Sequence, residues 1–207
     1  MKLPEKTVER LSEYRRTLLS CIAKGKTHIY SHELAGIHNI TAVQVRRDLM
    51  LIGYSSIKKK GYDTQELADV IGALIDHEKG LNVAVVGMGN MGRAITSYFN
   101  GKRPKLNIVA AFDVDPNKVN RVIAGVNCFH MKDLLEISKR YEISIAIITS
   151  PPDSATQVAE QLVSAGIKGI LNFTTIPLNV PDTVYLEEFD MITSLEKVAY
   201  FVKTKDE

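Results

Sequence analysis

The sequence predicts an α/β protein with two parts, a helical N-terminal part followed by a parallel β-sheet that helices cover on both faces. In residues 1–80, apolar residues recur every three or four positions, which is typical of amphipathic helices. From residue 81 onward, short apolar runs rich in Val and Ile alternate with amphipathic helical stretches. That alternation is typical of parallel strands buried on both faces. We therefore expect a domain boundary near residue 80.

The composition is that of an ordinary globular protein. Of its 207 residues, 45% are hydrophobic and 24% are charged, which argues against a disordered chain or a disulfide scaffold. No run approaches the ~18 consecutive apolar residues of a membrane helix, and the first residues lack the apolar stretch of a signal peptide. Cys21 and Cys128 are the only cysteines and form no C-x-x-C motif. We therefore expect a reduced, cytoplasmic protein without a structural disulfide.

The formal net charge of +2 is unevenly distributed along the chain. Residues 1–62 contain 12 Lys or Arg against 5 Asp or Glu, whereas residues 63–207 contain 14 against 19. A basic surplus confined to the N-terminal part favours the binding of a polyanion there. The alternative that remains open is uneven surface charge without a ligand.

Local sequence signals divide both parts into elements. In the N-terminal part we predict helices over residues 8–23, 31–38, 41–52 and 64–79, with helix starts at Pro4, Ser31, Thr41 and Thr64 and a stop at Gly25. In the C-terminal part we predict strands over residues 81–87, 107–113, 143–149 and 168–173. Helices are predicted between them over residues 90–99, 131–141 and 153–165, and a last helix over residues 193–203.

A glycine-rich turn follows the first predicted strand. Residues 87–92 read G-M-G-N-M-G, and Asp113 ends the next strand, 21 residues after Gly92. In a Rossmann-type, doubly wound sheet such a turn lets a pyrophosphate reach the start of the following helix, and the acid accepts hydrogen bonds from the adenosine ribose. Because a carboxylate repels a 2′-phosphate, the sequence predicts NAD(H) rather than NADP(H). The residues assigned to the cofactor here are Gly87, Met88, Gly89, Asn90, Met91, Gly92 and Asp113.

The loop after the third predicted strand is a further cofactor candidate. Thr149, Ser150 and Pro151 follow that strand directly. Since the carboxyl ends of parallel strands form the ligand crevice of such sheets, we expect this loop to line the cofactor.

Residues 31–38 and 41–52 form two short helices with a tight connection, which is the helix–turn–helix arrangement. On the second helix, the predicted core face consists of Ala42, Val45, Leu49 and Ile52. At ~100° per residue, the opposite face consists of Val43, Arg47 and Met50, flanked by Gln44 and Arg46. Polar side chains near the start of a recognition helix contact bases and phosphates of DNA.

Residues 54–62 are predicted to form a β-hairpin wing whose lysines contact phosphates. The predicted DNA contacts are Ser31, Thr41, Gln44, Arg46, Arg47, Lys58, Lys59, Lys60 and Tyr62.

At this point the sequence resembles the Rex family of redox-sensing transcriptional repressors over nearly its whole length. The motifs that carry the resemblance are R-L-x-x-Y-R-R-x-L (10–18), S-x-E-L-A (31–35), Q-V-R-R-D-L (44–49), G-N-M-G-R-A (89–94), A-x-F-D-x-D-P (110–116), A-I-I-T-x-P (146–151), A-G-I-K-G-I-L-N-F (165–173) and V-A-Y-F (198–201). The resemblance implies a winged-helix domain over residues 1–80, a Rossmann domain that senses NADH and NAD⁺ over residues 81–190, and a C-terminal helix over residues 191–207. That helix is swapped between the subunits of a homodimer, and NADH releases the repressor from operator DNA.

The resemblance also assigns roles to four individual residues. Tyr98 matches a tyrosine that reports occupancy of the nicotinamide site, and Met191 matches an apolar residue near the nicotinamide. Arg16 matches an arginine that pairs, in one state, with an aspartate matched by Asp190. Arg16, Tyr98 and Asp190 would then form a switch between two arrangements of the repressor. The chain departs from the family pattern in the wing, where both phenylalanines and the arginine are missing, and in D-L-M-L at the end of the recognition helix.

Two other functions fit the glycine turn, an NAD-dependent oxidoreductase and a CoA- or nucleotide-binding subunit of an enzyme. An oxidoreductase also needs a proton donor and a substrate pocket, for which the 34 residues after Phe173 are too few. An enzyme subunit would not need the helix–turn–helix. His28, His32 and His38 lack the further ligands of a metal site, so no metal is expected. We therefore expect a DNA-binding protein rather than an enzyme.

Overall fold

The computed structural model describes residues 3–55, 60–99, 102–103 and 105–204. The chain divides into two compact units, Met1–Glu78 and Lys79–Glu207. The predicted fold class, a helical N-terminal unit followed by a parallel sheet with helices on both faces, is confirmed. In the described part of the chain, no helix combines the length and the apolar character needed to cross a membrane.

Among its described residues, the first unit consists of helices and one short pair of strands. In chain order its elements are α1 (Glu5–Ala23), β1 (His28–Ile29), α2 (Ser31–His38), α3 (Ala42–Leu51), β2 (Tyr62–Asp63) and α4 (Thr64–Ile75). The Thr41 side chain accepts a hydrogen bond from the Gln44 N–H and so caps α3 as predicted. Asp63, not Thr64, caps α4 in the same way. The helix predicted to reach residue 79 ends at Ile75, because the backbone becomes extended at Asp76.

The core of the first unit comes from one face of each helix. Its fully buried members include Leu11, Tyr14, Leu18, Leu34, Val45, Leu49, Leu67 and Ile71. The prediction for α3 holds for Val45 and Leu49, whereas Ala42 and Ile52 are only partly buried against this core. Helix pairs of this size are held together mainly by such apolar burial rather than by helix propensity.

The middle of the predicted wing, residues 56–59, lies outside the described residues, and Lys58 and Lys59 fall there. On its C-terminal side, Tyr62 is in a strand, but that strand pairs with β1. The hairpin over residues 54–62 therefore stays a prediction.

The second unit is built on a seven-stranded sheet. Its strands are β3 (Leu81–Val86), β4 (Leu106–Asp113), β5 (Arg121–Ile123), β6 (Val126–His130), β7 (Ile143–Ile148), β8 (Gly169–Asn172) and β9 (Tyr185–Glu188), in the spatial order β5-β6-β4-β3-β7-β8-β9. All neighbouring pairs are parallel except β5 with β6. The four predicted strands are β3, β4, β7 and β8. The strands β5, β6 and β9 were not predicted; they lie at or next to the two edges of the sheet, where no long apolar run is needed.

Helices cover both faces of this sheet. They are α5 (Asn90–Phe99), α6 (Leu134–Arg140) and α7 (Ala155–Ser164). A fourth helix of this unit, α8 (Met191–Lys203), buries none of its residues. Single 3₁₀ turns at Met131–Asp133 and Pro152–Ser154 occupy the start of two predicted helices. Along β3, Ala84 and Val86 face the cluster that contains α6 and α7, whereas Val83 and Val85 face the cluster that contains α5. A strand buried on both faces explains the uninterrupted apolar run at residues 81–86.

Candidate functional site

A cavity of about 780 Å³ opens in the second unit at the carboxyl ends of the strands. It lies where the strand order reverses, since β4 and β7 flank β3 on opposite sides. This is the position at which open α/β sheets bind ligands. Eight of the residues assigned to the cofactor line it: Gly87, Gly89, Asn90, Met91, Asp113, Thr149, Ser150 and Pro151. Further lining residues that the sequence analysis did not single out include Asp115, Lys118, His130, Lys132, Gln157 and Gln161.

The glycine turn is shaped by three different constraints. Gly87 has a φ of +94°, and a Cβ there would lie 2.7 Å from the backbone nitrogen of Ser150. A Cβ on Gly92 would collide with the carbonyl oxygen of Gly87, so this glycine lets α5 pack against the turn. A Cβ on Gly89 would meet no other atom within 4 Å, because Gly89 lines the open cavity. The open space beside Gly89 leaves room for a ligand at the turn, and this geometry fits a dinucleotide.

The loop after β7 closes one side of the cavity. The Thr149 hydroxyl donates to the carbonyl oxygen of Gly87 at 2.7 Å, and the Thr149 N–H donates to the carbonyl oxygen of Val86 at 2.8 Å. These bonds tie the loop to the glycine turn. Ser150 lines the same cavity, and its hydroxyl is buried without a hydrogen-bond partner among the described residues. Buried hydroxyls are usually paired, so this one is available to a bound ligand.

Asp113 has a buried carboxylate with several protein donors. Oδ2 accepts from the Met88 N–H at 2.8 Å and from Lys118 Nζ at 3.0 Å, and Oδ1 accepts from the Asp115 N–H at 2.9 Å. Burial by itself raises the pKa of Asp113, but the bonds from Asp115, Lys118 and Met88 outweigh it and lower that pKa below its ordinary value of 3.8. An ionised carboxylate accepts about four hydrogen bonds, so about one position is left for a ribose hydroxyl. Asp115 is a second candidate for bonding to the ribose. It lines the cavity, and its carboxylate lies 3.7 Å from Lys118 Nζ.

Four residues assigned to the cofactor are not among the described residues that line this cavity: Met88, Gly92, Tyr98 and Met191. Met88 is fully buried in the core beneath the turn. Tyr98 is 62% exposed on α5, with Lys102 Nζ 3.5 Å from the centre of its ring. Met191 is exposed at the start of α8.

The three residues assigned to the switch have separate surroundings. Asp190 caps α8, because its carboxylate accepts from the Ile192 N–H at 2.8 Å and from the Thr193 hydroxyl at 2.6 Å. The bond from Thr193 is the main reason that the pKa of Asp190 is lowered. Arg16 is exposed on α1 in the first unit, whereas Tyr98 and Asp190 belong to the second.

The second helix of the helix–turn–helix presents both basic and apolar groups. Arg46 and Arg47 are exposed as predicted, and Arg46 Nη1 donates to the Ser31 hydroxyl at 3.2 Å. Val43 is 48% exposed and Met50 72% exposed. Gln44 is not presented freely to solvent, because it is half-buried and its Nε2 donates to Asp48 Oδ1 at 2.9 Å. Beyond α3, Lys60 is exposed, and Tyr62 is only 8% exposed and belongs to the core.

Asp48 is a residue that the sequence analysis missed. It is fully buried between Val45 and Leu49 on the core face of α3 and is paired with Arg10 and Tyr14 of α1. The sequence contained a signal for it, because a charged residue that lies between two core positions of one helix is buried and needs an oppositely charged or hydrogen-bonding partner. In the described part of the chain, no group of three or more His, Cys, Asp or Glu side chains is arranged to hold a metal ion.

The chain is similar to known proteins over both units. A family model described as a putative DNA-binding protein N-terminus matches residues 2–49, and one described as a CoA binding domain matches residues 78–176. The redox-sensing transcriptional repressor Rex of Exiguobacterium sp. (strain ATCC BAA-1283 / AT1b) is 37% identical over 202 residues, covering 98% of this chain and 93% of that protein.

Two crystal structures of RSP, a Rex-family repressor, are similar to the whole chain. RSP in complex with β-NAD⁺ and operator DNA matches with a TM-score of 0.91 and 31% identity, covering 100% of this chain and 95% of RSP. RSP in complex with β-NADH matches with a TM-score of 0.87 and 30% identity, covering 100% and 97%. The resemblance found in the sequence motifs is thereby confirmed, and the chain belongs to the Rex family of redox-sensing transcriptional repressors.

Proposed function

We propose that this protein is a homodimeric transcriptional repressor that senses the NADH/NAD⁺ ratio, and that NADH binding releases it from operator DNA. The observation that carries the proposal is the full-length similarity to RSP, which has been solved with β-NADH and with β-NAD⁺ plus operator DNA. In this chain a cavity that fits a dinucleotide lies in one unit, and a helix–turn–helix with exposed arginines lies in the other.

The dinucleotide would be held by the second unit. Its pyrophosphate would lie against Gly87, Gly89 and the N–H groups at the start of α5, where the helix dipole favours negative charge. The adenosine ribose would bond to Asp113, and Thr149, Ser150 and Pro151 would line the opposite side. Asp113 and Asp115 place two negative charges at this end against the one positive charge of Lys118, so the 2′-phosphate of NADPH would be repelled. The nicotinamide supplies the redox state that is sensed; Tyr98 and Met191 are its proposed neighbours.

DNA would be bound by the first unit. Arg46 and Arg47, which are exposed on α3, would contact bases or phosphates. From the sequence we also propose phosphate contacts for Lys58, Lys59 and Lys60. Ser31 and Thr41 lie at the starts of α2 and α3, where hydroxyls and N–H groups commonly bind phosphate. We propose that Tyr62 supports the Lys58–Lys60 segment through its ring. The centre of this ring lies 6.0 Å from the centre of the Tyr54 ring.

The dimer would be formed through α8. Every residue of this helix is exposed, although seven of them are large and apolar: Met191, Ile192, Leu195, Val198, Tyr200, Phe201 and Val202. An apolar helix that none of the described residues of its own chain buries is explained by a second copy that does. We accordingly propose a DNA-binding domain over residues 1–80, an NAD(H)-binding domain over 81–190 and a swapped helix over 191–207.

Release from DNA would follow from thermodynamic linkage between the two ligands. NADH would favour an arrangement of the dimer in which the two recognition helices do not fit adjacent turns of the major groove, ~34–36 Å apart. Arg16, Tyr98 and Asp190 would bias this equilibrium through an ion pair that forms in only one arrangement. The coupling must be reciprocal, so operator DNA must weaken NADH binding by the same factor. No catalytic step is part of the proposal, and the protein would act in the cytoplasm, where bacterial DNA lies.

The test is fluorescence anisotropy with a labelled duplex selected by the protein from a random-sequence library. We expect NADH to lower the affinity for this duplex at least tenfold, NAD⁺ to have little effect, and NADPH to act only at much higher concentration. An affinity for DNA that NADH leaves unchanged would contradict the sensor function even if both ligands bind.

A further inference from the structure

A buried polar cluster joins α1 to the recognition helix α3. Arg10 donates from Nε to Asp48 Oδ2 and from Nη2 to Asp48 Oδ1, both at 2.7 Å, and the Tyr14 hydroxyl donates to Oδ2 at 2.9 Å. Asp48 and Tyr14 are completely buried, and the Arg10 side chain is 22% exposed. Burial alone would raise the pKa of Asp48, but the bonds from Arg10, Tyr14 and Gln44 lower it, so the carboxylate is charged at neutral pH.

Such a cluster adds a directional constraint to the surrounding apolar contacts. Leu11, Val45 and Leu49 pack the two helices together, and the hydrophobic free energy that holds them is non-directional. A bidentate bond between a planar guanidinium and a carboxylate has a defined geometry. The Arg10–Asp48 pair therefore fixes the rotation of α3 relative to α1, and with it the direction in which the outer face of α3 points.

The same carboxylate also orients a residue at the edge of the outer face. Gln44 lies one turn before Asp48, and its Nε2 donates to Asp48 Oδ1 at 2.9 Å. A side-chain amide has two N–H donors and one carbonyl acceptor. One donor is used by Asp48, which leaves one donor and the acceptor for an outside partner. That is the set with which a Gln side chain pairs with the major-groove edge of adenine.

We propose that Asp48, held by Arg10 and Tyr14, is a positioning residue for DNA recognition, and that Gln44, oriented by Asp48, reads an adenine in the operator. The inference rests on the proposed DNA-binding function and adds to it one base contact and the residues that set its geometry. Arg10 and Tyr14 contribute to sequence discrimination without touching DNA, whereas Arg46 and Arg47 supply affinity.

The experiment measures discrimination position by position. The protein selects a duplex from a random-sequence library, and each base pair of one half-site is then replaced in turn. Anisotropy gives the affinity of every duplex for the wild type, Gln44→Ala, Tyr14→Phe and Arg10→Lys. Tyr14→Phe removes a single donor to Asp48, and Arg10→Lys keeps the charge but loses the bidentate geometry. Thermal unfolding and NADH titration of each variant report on folding and on the second unit.

We expect the wild type to lose about tenfold or more in affinity when one particular A·T pair is replaced. Gln44→Ala should reduce that loss of affinity to less than twofold. The losses at the other base pairs, and the salt dependence of DNA affinity, should stay as in the wild type. Tyr14→Phe and Arg10→Lys should each weaken discrimination at the same pair. The inference is overturned if Gln44→Ala leaves discrimination unchanged at every pair, or if the two α1 variants lower affinity equally for all duplexes. A wild type that selects no sequence at all would instead overturn the proposed function.

Discussion

The carboxylate of Asp113 accepts a hydrogen bond of 2.8 Å from the backbone N–H of Met88, 25 residues earlier in the chain. Asp113 ends β4, and Met88 is the residue between the first two glycines of the turn after β3. The acid that the sequence motif assigns to the ribose therefore also holds the turn that would carry the pyrophosphate. One side chain thus links the two halves of the expected adenosine diphosphate site.

Asp113→Asn should weaken both the fold of the second unit and its affinity for NADH. An amide in place of the carboxylate removes a charge-assisted acceptor from Met88 and Lys118, at a cost of about 1–3 kcal/mol in the free energy of unfolding. NADH affinity should fall about tenfold, as measured by fluorescence titration. Asp182→Asn is the matched control, because Asp182 is exposed and does not line the cavity, and it should change stability by less than about 0.5 kcal/mol. Unchanged NADH affinity in Asp113→Asn would remove this residue from the site.

The lowered pKa of Asp113 predicts how stability depends on pH. Because the folded protein holds this pKa below the ordinary value of 3.8, the stabilisation is complete above that value. It is lost as the pH falls through the folded-state pKa. Urea unfolding followed at pH 7, 5, 4 and 3 should therefore show a free energy of unfolding that drops most steeply below pH 4. The drop should be smaller in Asp113→Asn; an equal drop in both proteins would assign the effect to other groups.

Gly89→Val should separate cofactor binding from folding. A side chain at this position meets no protein atom within 4 Å of its Cβ and projects where the pyrophosphate is proposed to lie. We expect NADH affinity to fall at least about tenfold, or about 1.4 kcal/mol, with a melting temperature close to that of the wild type. Gly92→Ala provides the contrast, because its Cβ would collide with the Gly87 carbonyl and should lower the melting temperature. Normal NADH binding by folded Gly89→Val would contradict the proposed phosphate position.

Arg47→Ala should weaken DNA binding and spare NADH binding. Arg47 is exposed on α3, and the loss of one arginine contact to a base or phosphate costs about 1–3 kcal/mol. Anisotropy at several salt concentrations would also show whether the contact is to a phosphate. In that case the slope of log affinity against log salt concentration should fall in magnitude by about one. Lys168→Ala, an exposed lysine of the second unit, should leave DNA affinity unchanged. Loss of both DNA and NADH binding in Arg47→Ala would mean that the two units have been misassigned.

Leu195→Asp should dissociate the proposed dimer. Leu195 is 70% exposed on α8, and a carboxylate there cannot be buried against a partner without a large desolvation cost. Light scattering after size exclusion should show a change from twice the chain mass of 23.0 kDa to a single chain. Lys197→Asp lies on the same helix and replaces an exposed polar residue, so it should stay dimeric. A wild type that is already monomeric would contradict the α8 interface.

The local sequence was sufficient to predict most of the architecture. Apolar runs that face both clusters of the core predicted β3, β4, β7 and β8, because a strand buried on both faces has no polar alternation. The cap at Thr41 was also recognisable, since it depends on a contact within three residues. The glycine turn at residues 87–92 was recognisable from the spacing of its glycines, although the contacts that constrain Gly87 come from Ser150, far along the chain. The strands β5, β6 and β9 were missed, because pairing at an edge depends on a neighbour that is distant in sequence.

What only the tertiary structure decided concerns polar groups that meet across long stretches of chain. Asp48 and Arg10 are 38 residues apart, and nothing in either neighbourhood specifies the other. Their pairing also determines that Gln44 is held by the core rather than free in solvent, and a helical wheel does not contain that information. Periodicity and turn chemistry are local properties of the backbone, which the sequence by itself determines. The partners of a buried charge depend on which elements the fold brings together, because only desolvation in the folded state makes such a partner necessary.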